Sequence, residues 1–140
     1  MTTAVTPTYL STLLARGDKL LRTSLRLDAV VTGANGLAYL ALAVPLESLL
    51  GLDRSHSLAI GAFLTLFGLA VAATSATRSI NMTAARTVMA LNAVWVVVSL
   101  ATAIEGTLDL NVAGTVWTLM QAVTVGAFAA LQYLGLRKAR

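Results

Sequence analysis

The amino-acid sequence predicts an all-α integral membrane protein, an up-down four-helix bundle with an N-terminal amphipathic interfacial helix. Three observations predict it: four long apolar blocks, a low charged fraction, and a strong bias in where the basic residues lie. The 140 residues are 57% hydrophobic and 11% charged, with a mean hydropathy of +0.80. An ordinary soluble domain carries about 25% charged residues, whereas apolar blocks of about 18 or more residues are typical of membrane spans.

The basic residues lie almost entirely on one side of the membrane if the four apolar blocks are spans. Nine of the ten Lys and Arg residues precede the first block, separate the second from the third, or follow the fourth, and only Arg54 lies on the other side. Positively charged loops are retained in the cytoplasm during insertion. The sequence therefore predicts a multi-pass protein of a bacterial cytoplasmic membrane with both termini in the cytoplasm.

The first predicted unit, residues 1–27, is a tail followed by an amphipathic helix. From Tyr9 to Leu27, at about 100° per residue, leucines cluster on one helix face and basic residues on the opposite face. Such a helix lies in the membrane interface. The alternative is that this segment extends the first span into water, and Gly17 weakens the predicted helix because glycine destabilises helix interiors.

The second predicted unit, residues 28–140, contains the four spans. Their predicted ranges are 28–50, 58–76, 87–104 and 112–136. Each can cross a hydrocarbon core of about 30 Å at a rise of about 1.5 Å per residue, and the short loops between them make neighbouring helices antiparallel. Pro45 removes a backbone donor, which predicts a kink over residues 41–44.

Polar side chains at membrane depth are the main candidate functional residues. Most are expected in the cytoplasmic third of the spans, and one lies near the middle of the fourth. This candidate polar layer consists of Asn35, Asn92, Gln121, Gln132 and Thr74. Amides in hydrocarbon need hydrogen-bond partners, so these side chains are expected to face the bundle interior. They would either fix the helix register or line a polar pocket that opens toward the cytoplasm.

Asp28 is the acidic residue at the predicted inner edge of the first span. Ionisable residues inside a membrane are hypotheses of function by default. Because the predicted span begins at Asp28, its carboxyl is expected at the rim, in an ion pair with Arg78 or Arg86. The alternative is that Asp28 accepts a proton.

Residue types that carry catalysis or hold cofactors are scarce in this chain. There are no cysteines and a single histidine, His56, which excludes thiolate nucleophiles, iron–sulfur centres and paired axial histidines. The carboxylates near His56 lack a metal-ligand spacing, and no nucleotide-binding motif occurs. We therefore expect no enzyme activity, no cofactor and no metal. The basic residues flank spans rather than form a patch, so we expect no nucleic-acid partner.

Three segments resemble a known group of proteins. They are Leu25–Leu40 (LRLDAVVTGANGLAYL), Gly114–Ala122 (GTVWTLMQA) and Ala130–Arg137 (ALQYLGLR). They resemble the small four-span integral membrane proteins that are common in actinobacteria, and the resemblance covers most of residues 25–137. It implies a fold and no mechanism, since that group has no established activity.

Two function classes remain open at this point. The predicted function is a non-catalytic membrane protein that acts as a scaffold, an accessory subunit or a lipid-interacting bundle. Its expected partners are the lipid bilayer and either further copies of itself or a larger membrane complex. The alternative is a transporter or channel for a small molecule or ion, with the polar layer as its pocket.

Overall fold

The structure, a computed structural model, describes residues 18–139 of the chain and the side chains of residues 19–138 among them. The described residues form five α-helices. These are α1 (Asp18–Ala41), α2 (Ala43–Leu50), α3 (Arg54–Ala76), α4 (Met82–Glu105) and α5 (Val112–Ala139). By length and composition, three helices can cross a membrane, and the bent pair α1–α2 can supply a fourth span. The chain is therefore all-α and a multi-pass membrane protein.

The first helix begins and ends earlier than the predicted first span. Residues 18–27, which were assigned to the interfacial helix, continue into the span without a break, and the rest of that predicted helix lies outside the described residues. The chain bends by 93° between α1 and α2, at Leu42. The predicted kink is thus confirmed. Pro45 explains it, because its ring has no N–H and collides with the carbonyl four residues earlier.

The bend is stabilised by a hydrogen bond from the neighbouring helix. In an unbroken helix, the carbonyl of Tyr39 would accept from the backbone N–H of Ala43. Here the hydroxyl of Ser57, a fully buried residue of α3, donates to the Tyr39 carbonyl over 2.8 Å. α2 then ends at Gly51, whose φ of 73° lies in the left-handed region that glycine adopts without strain.

Capping residues explain why α3 and α4 begin before the predicted spans. The side chain of Asp53 accepts a hydrogen bond at the start of α3, and that of Asn81 accepts from the backbone N–H of Ala84 over 3.1 Å at the start of α4. Such caps satisfy backbone donors of the first helical turn. As a result Arg86, which was expected in a loop, lies within the first turns of α4.

The four long helices pack in the spatial order α3, α1, α5, α4, each antiparallel to its neighbour. α1 packs along α3 and against α5, α5 packs along α4, and α3 and α4 have little contact. A Cβ atom at Gly36 would lie 2.5 Å from the backbone N of Thr65, and one at Gly68 would lie 2.9 Å from the Cα of Gly33. These glycines allow α1 and α3 to approach closely, whereas the backbones of α3 and α4 lie farther apart.

The two ends of the molecule differ in charge. The basic end comprises the start of α1, the loop 77–81 and the end of α5, and the acidic end comprises α2 and the loops 51–53 and 106–111. The acidic end carries Glu47, Asp53, Glu105 and Asp109. At the basic end, seven buried apolar residues form one cluster, the apolar seal: Leu21, Leu25, Val71, Ile80, Ala85, Val88 and Leu136.

Candidate functional site

Asp28 has a completely buried carboxyl group that accepts hydrogen bonds from three side chains. Its exposed fraction is 0%, and its Oδ1 accepts from the hydroxyl of Thr32 over 2.7 Å. Its Oδ2 accepts from Asn92 Nδ2 over 2.7 Å and from Gln132 Nε2 over 2.8 Å. Asn92 Nδ2 also donates to Gln132 Oε1 over 3.0 Å. These four residues, named here the Asp28 cluster, join α1, α4 and α5.

The helices place these polar groups inside by simple periodicity. Thr32 lies one turn after Asp28 on α1, so the two side chains share a helix face. Asn92 is only 3% exposed, although its neighbours Leu91 and Val94 are 42% and 55% exposed. The apolar side of α4 thus faces outward and its amide faces the other helices, as expected for polar groups surrounded by hydrocarbon.

The expected rim ion pair of Asp28 with Arg78 or Arg86 is not formed. Both arginines are exposed, and among the described side chains the ion pairs within 4.0 Å lie at the acidic end. The physical reason is depth. Because α1 reaches back to Asp18, Asp28 lies ten residues into the helix and not at its first turn.

Arg22 lies at the basic end of the bundle, beside the end of α3, and its position shows how deep Asp28 lies. Its Nη1 donates to the carbonyls of Ser75 (2.7 Å) and Thr77 (2.6 Å), and its Nη2 donates to that of Arg78 (3.0 Å). The guanidinium therefore satisfies one carbonyl in the last turn of α3 and two just after it, and it balances the negative end of the helix dipole. Asp28 lies six residues further along α1, about 9 Å deeper at 1.5 Å per residue.

The predicted polar layer separates into two hydrogen-bonded tiers and one residue that joins neither. Asn92 and Gln132 belong to the Asp28 cluster. Asn35 Nδ2 donates to Gln121 Oε1 over 3.4 Å and forms a second tier nearer the acidic end. Thr74 donates to the carbonyl four residues earlier in its own helix, over 2.9 Å.

A cavity of about 250 Å³ lies in the acidic half, bordered by α1, α3, α4, α5 and the loops of that end. Its lining includes three aromatic and three hydroxyl side chains, namely Tyr39, Trp95, Trp117, Ser99, Thr102 and Thr118. His56, whose side chain is 54% exposed, also lines the cavity. The cavity therefore reaches the protein surface beside His56.

A second cavity of about 20 Å³ lies between this region and the Asp28 cluster. It shares Leu64, Trp95 and Gln121 with the larger cavity and extends to Thr32 and Asn92, which both bond Asp28. A volume of about 10–15 Å³ is sufficient for one water molecule. The sequence predicted a polar pocket in the cytoplasmic third of the spans. At that level the cavity has room for about one water molecule, and the larger cavity lies closer to the acidic end.

Aromatic residues of the site were not singled out from the sequence. Trp117 Nε1 donates to the Tyr39 hydroxyl over 2.8 Å. The rings of Phe63 and Trp95 stack between α3 and α4, with centroids 5.6 Å apart. A Tyr or Trp within a predicted span is a usable signal, because its polar atom needs a partner when it is buried. Thr32 had a signal too, since it follows Asp28 at helical spacing.

The acidic end holds its charged groups at the surface. Arg54 Nη2 lies 3.9 Å from Glu47 Oε1, and both side chains are about half exposed. Ser55 donates hydrogen bonds to Asp53, which lowers the pKa of that carboxyl below its usual 3.8. Within residues 18–139, no three His, Asp or Glu side chains converge as metal ligands would.

Comparison of the chain with models of protein families, with curated proteins and with solved structures gives no match. Its function has to be inferred from the Asp28 cluster and the two cavities.

Proposed function

We propose that the chain is a four-span bundle whose basic end faces the cytoplasm, with α1, α3, α4 and α5 as spans. The 24 residues of α1 extend about 36 Å, more than the hydrocarbon thickness of about 30 Å. The basic end matches the retention of positive charge in the cytoplasm. Strongly exposed apolar residues on three helices support a lipid-facing surface: Leu66 at 68%, Val97 at 66% and Val123 at 74%.

In this arrangement α2 lies in the interface opposite the cytoplasm, since it turns away from α1 by 93°. Its exposed residues include the apolar Val44 and Leu49, which an interfacial helix turns toward the acyl chains. An amphipathic helix before residue 18 stays a prediction from the sequence.

Within this bundle, we propose that the protein binds a small, neutral, mainly apolar molecule. The cavity of about 250 Å³ in the acidic half carries this proposal. Dry apolar cavities of about 150 Å³ hold benzene, and ligand pockets begin near about 300 Å³. The cavity therefore fits a molecule of the size of a substituted aromatic ring.

The cavity lining supports a neutral ligand. Apart from His56 at its mouth, its lining contains no residue that carries a charge near neutral pH. Because the Tyr39 hydroxyl accepts its hydrogen bond from Trp117, the phenolic hydrogen can be donated to an acceptor on the ligand. The poor contact between α3 and α4 supports entry from the bilayer, which a scaffold or accessory subunit would not require.

Fluorescence of the tryptophans tests ligand binding, because Trp95 and Trp117 are the chain's two tryptophans and both line the cavity. The protein is reconstituted into vesicles with Trp117→Phe, so that Trp95 alone is observed. Acrylamide, a small neutral quencher, is expected to quench Trp95, and benzyl alcohol to protect it. Ser99→Leu fills the cavity and is expected to reduce the Stern–Volmer constant several-fold and to abolish the protection.

Val97→Leu is the matched control, because it adds a methylene to a side chain that is 66% exposed two residues away. It is expected to leave quenching and protection unchanged. Lipids with brominated acyl chains distinguish a lipid occupant from a small-molecule ligand. If Ser99→Leu behaves as Val97→Leu does, or if brominated chains quench Trp95 while benzyl alcohol gives no protection, the proposed function is wrong.

A further inference from the structure

We propose that Asp28 is a proton-binding site that exchanges protons with the acidic end of the protein. This goes beyond the binding of a molecule in the large cavity and requires no such ligand. The carboxyl is 0% exposed, and among the described side chains it has no basic partner within 4.0 Å. Uncompensated ionisable groups inside a membrane are costly and are typical of proton relays and ion paths.

The route from the acidic end consists of the two cavities in series. The larger cavity reaches the surface beside His56 and descends to Gln121. The smaller cavity is lined by Gln121 on one side and reaches Thr32 and Asn92. Both of these side chains donate directly to the Asp28 carboxyl. The two cavities therefore supply a route from the acidic end toward the carboxyl. Access from one side alone also requires that the opposite side be closed.

The apolar seal closes the side toward the basic end. Each helix that contributes to the Asp28 cluster places a buried apolar residue about one turn closer to that end: Leu25 on α1, Val88 on α4 and Leu136 on α5. Their exposed fractions are 0%, 5% and 5%. None of these three side chains can bond a water or pass a proton, and the buried Ser24 hydroxyl at the same level donates to the carbonyl of Leu21 over 2.9 Å. The side toward the basic end is therefore the more closed one in this conformation.

The hydrogen-bond pattern favours a proton over a metal ion. Both carboxyl oxygens of Asp28 already accept hydrogen atoms from an alcohol and two amide NH₂ groups, whereas hard cations need a shell of oxygen ligands. Protonation converts one accepting oxygen into a donor. The amides of Asn92 and Gln132 carry both a donor and an acceptor, so rotation of an amide by half a turn accommodates either state.

The charged and titratable groups around the Asp28 cluster lie, among the described side chains, either toward the basic end or toward the acidic end. No Asp, Glu, Lys or Arg occurs in α3 after Arg54, in α4 between Arg86 and Glu105, or in α5 before Arg137. Arg22 is bonded to the carbonyls of Ser75, Thr77 and Arg78. The groups that can influence protonation of Asp28 are, toward the acidic end, Tyr39 and His56 and, toward the basic end, Arg22, Arg26, Arg78, Arg86, Tyr133 and Arg137.

Infrared spectroscopy of the reconstituted protein, without added ligand, tests the proposal. A protonated carboxyl has a C=O stretch separate from the amide bands, and we expect such a band to disappear reversibly as pH rises. Asp28→Asn should abolish it. Thr32→Val keeps the carboxyl and removes the hydroxyl donor to Oδ1, so the band should remain and shift in frequency. Thr74→Val, whose hydroxyl bonds only its own helix, is the control and should leave the band unchanged.

Access to Asp28 is tested in vesicles in which the acidic end of the protein faces the external buffer. This orientation is verified if external trypsin does not cleave the loop at Arg78. A pH step in the external buffer is expected to change the band, and a step in the lumen is not. The proposal is overturned if no such band appears at any pH at which the protein is folded. It is also overturned if Asp28→Asn leaves the band, if only the basic end responds, or if Na⁺ at constant pH removes it. None of these outcomes depends on ligand binding in the large cavity.

Discussion

The basic half and the acidic half of this protein are built from the same long helices but differ in packing. In the basic half, leucine and valine side chains from neighbouring helices meet and are buried, as at Leu21 and Val71, which are both 0% exposed. In the acidic half, α1 ends and the chain turns aside by 93° at Leu42. The cavity of about 250 Å³ lies at this level, bordered by Tyr39 and Leu52. Because of one proline-induced bend, three long helices instead of four continue to the acidic end. The two polar tiers lie between the tightly packed basic half and the acidic half with its cavity.

The largest difference between the halves is expected for the two asparagines. Asn92→Leu removes a hydrogen bond of 2.7 Å to the buried Asp28 carboxyl and one of 3.0 Å to Gln132. Asn35→Leu removes one bond of 3.4 Å to Gln121. We expect losses of about 3 kcal/mol for Asn92→Leu, because a buried carboxyl group loses a hydrogen-bond partner, and below about 1 kcal/mol for Asn35→Leu.

Reversible unfolding by SDS in mixed micelles, followed by circular dichroism, measures both losses. Asn92→Gln is the control that retains an amide and changes the length of the side chain only. Equal losses for Asn92→Leu and Asn35→Leu would mean that both tiers serve the helix register to the same degree, contrary to the assignment of Asp28 as a proton site.

A smaller difference is expected for one leucine in each half. Leu21 belongs to the apolar seal, whereas Leu64 is 8% exposed and borders both cavities. Leu21→Ala is expected to cost about 2 kcal/mol, because tightly packed neighbours cannot fill the space that is created. Leu64→Ala should cost about half as much, since its side chain has fewer contacts to lose. The same unfolding measurement decides; a larger loss for Leu64→Ala would show that the acidic half is the better packed one.

The sequence predicted the helices well where local signals are strong. The ranges of α3, α4 and α5 contain the predicted spans, and the position of the bend followed from Pro45. The early start of α1 matches only the alternative interpretation, in which this segment extends the first span. The basic residues of 18–27 favoured an interfacial helix, and nothing in the pattern marks Asp28 as interior. The depth of Asp28 depends on where the basic end of the bundle lies. The hydrogen bonds of Arg22 to carbonyls at the end of α3 show that position, and they cannot be read from the sequence.

The candidate site was predictable in part. That the amides face inward followed from the cost of an unpaired amide in hydrocarbon, and all four amide residues of the predicted layer bond across helices. Their division into two tiers was not predictable, because it depends on the axial offset between helices. The cavity was not predictable either, since a proline predicts that a helix bends and not the direction in which α2 leaves the bundle.

The smallest effect is expected at the surface of the acidic end, where Asp53 caps α3. Ser55 hydrogen bonds lower the pKa of Asp53 below its usual 3.8, so the folded state favours the ionised carboxyl. This stabilisation is complete above that usual value and is lost as pH falls through the lower pKa of the folded protein.

Asp53→Asn keeps a capping oxygen and does not titrate. The wild-type protein should therefore have a slightly higher melting temperature than Asp53→Asn at neutral pH, and the difference should vanish in strong acid. The other carboxylates titrate in both proteins and cancel in the comparison. Because the side chain of Asp53 is exposed, solvent screens the effect. If Asp53→Asn changed the melting temperature as much as Asn92→Leu does, the charged surface and not the buried cluster would dominate the electrostatics of this protein.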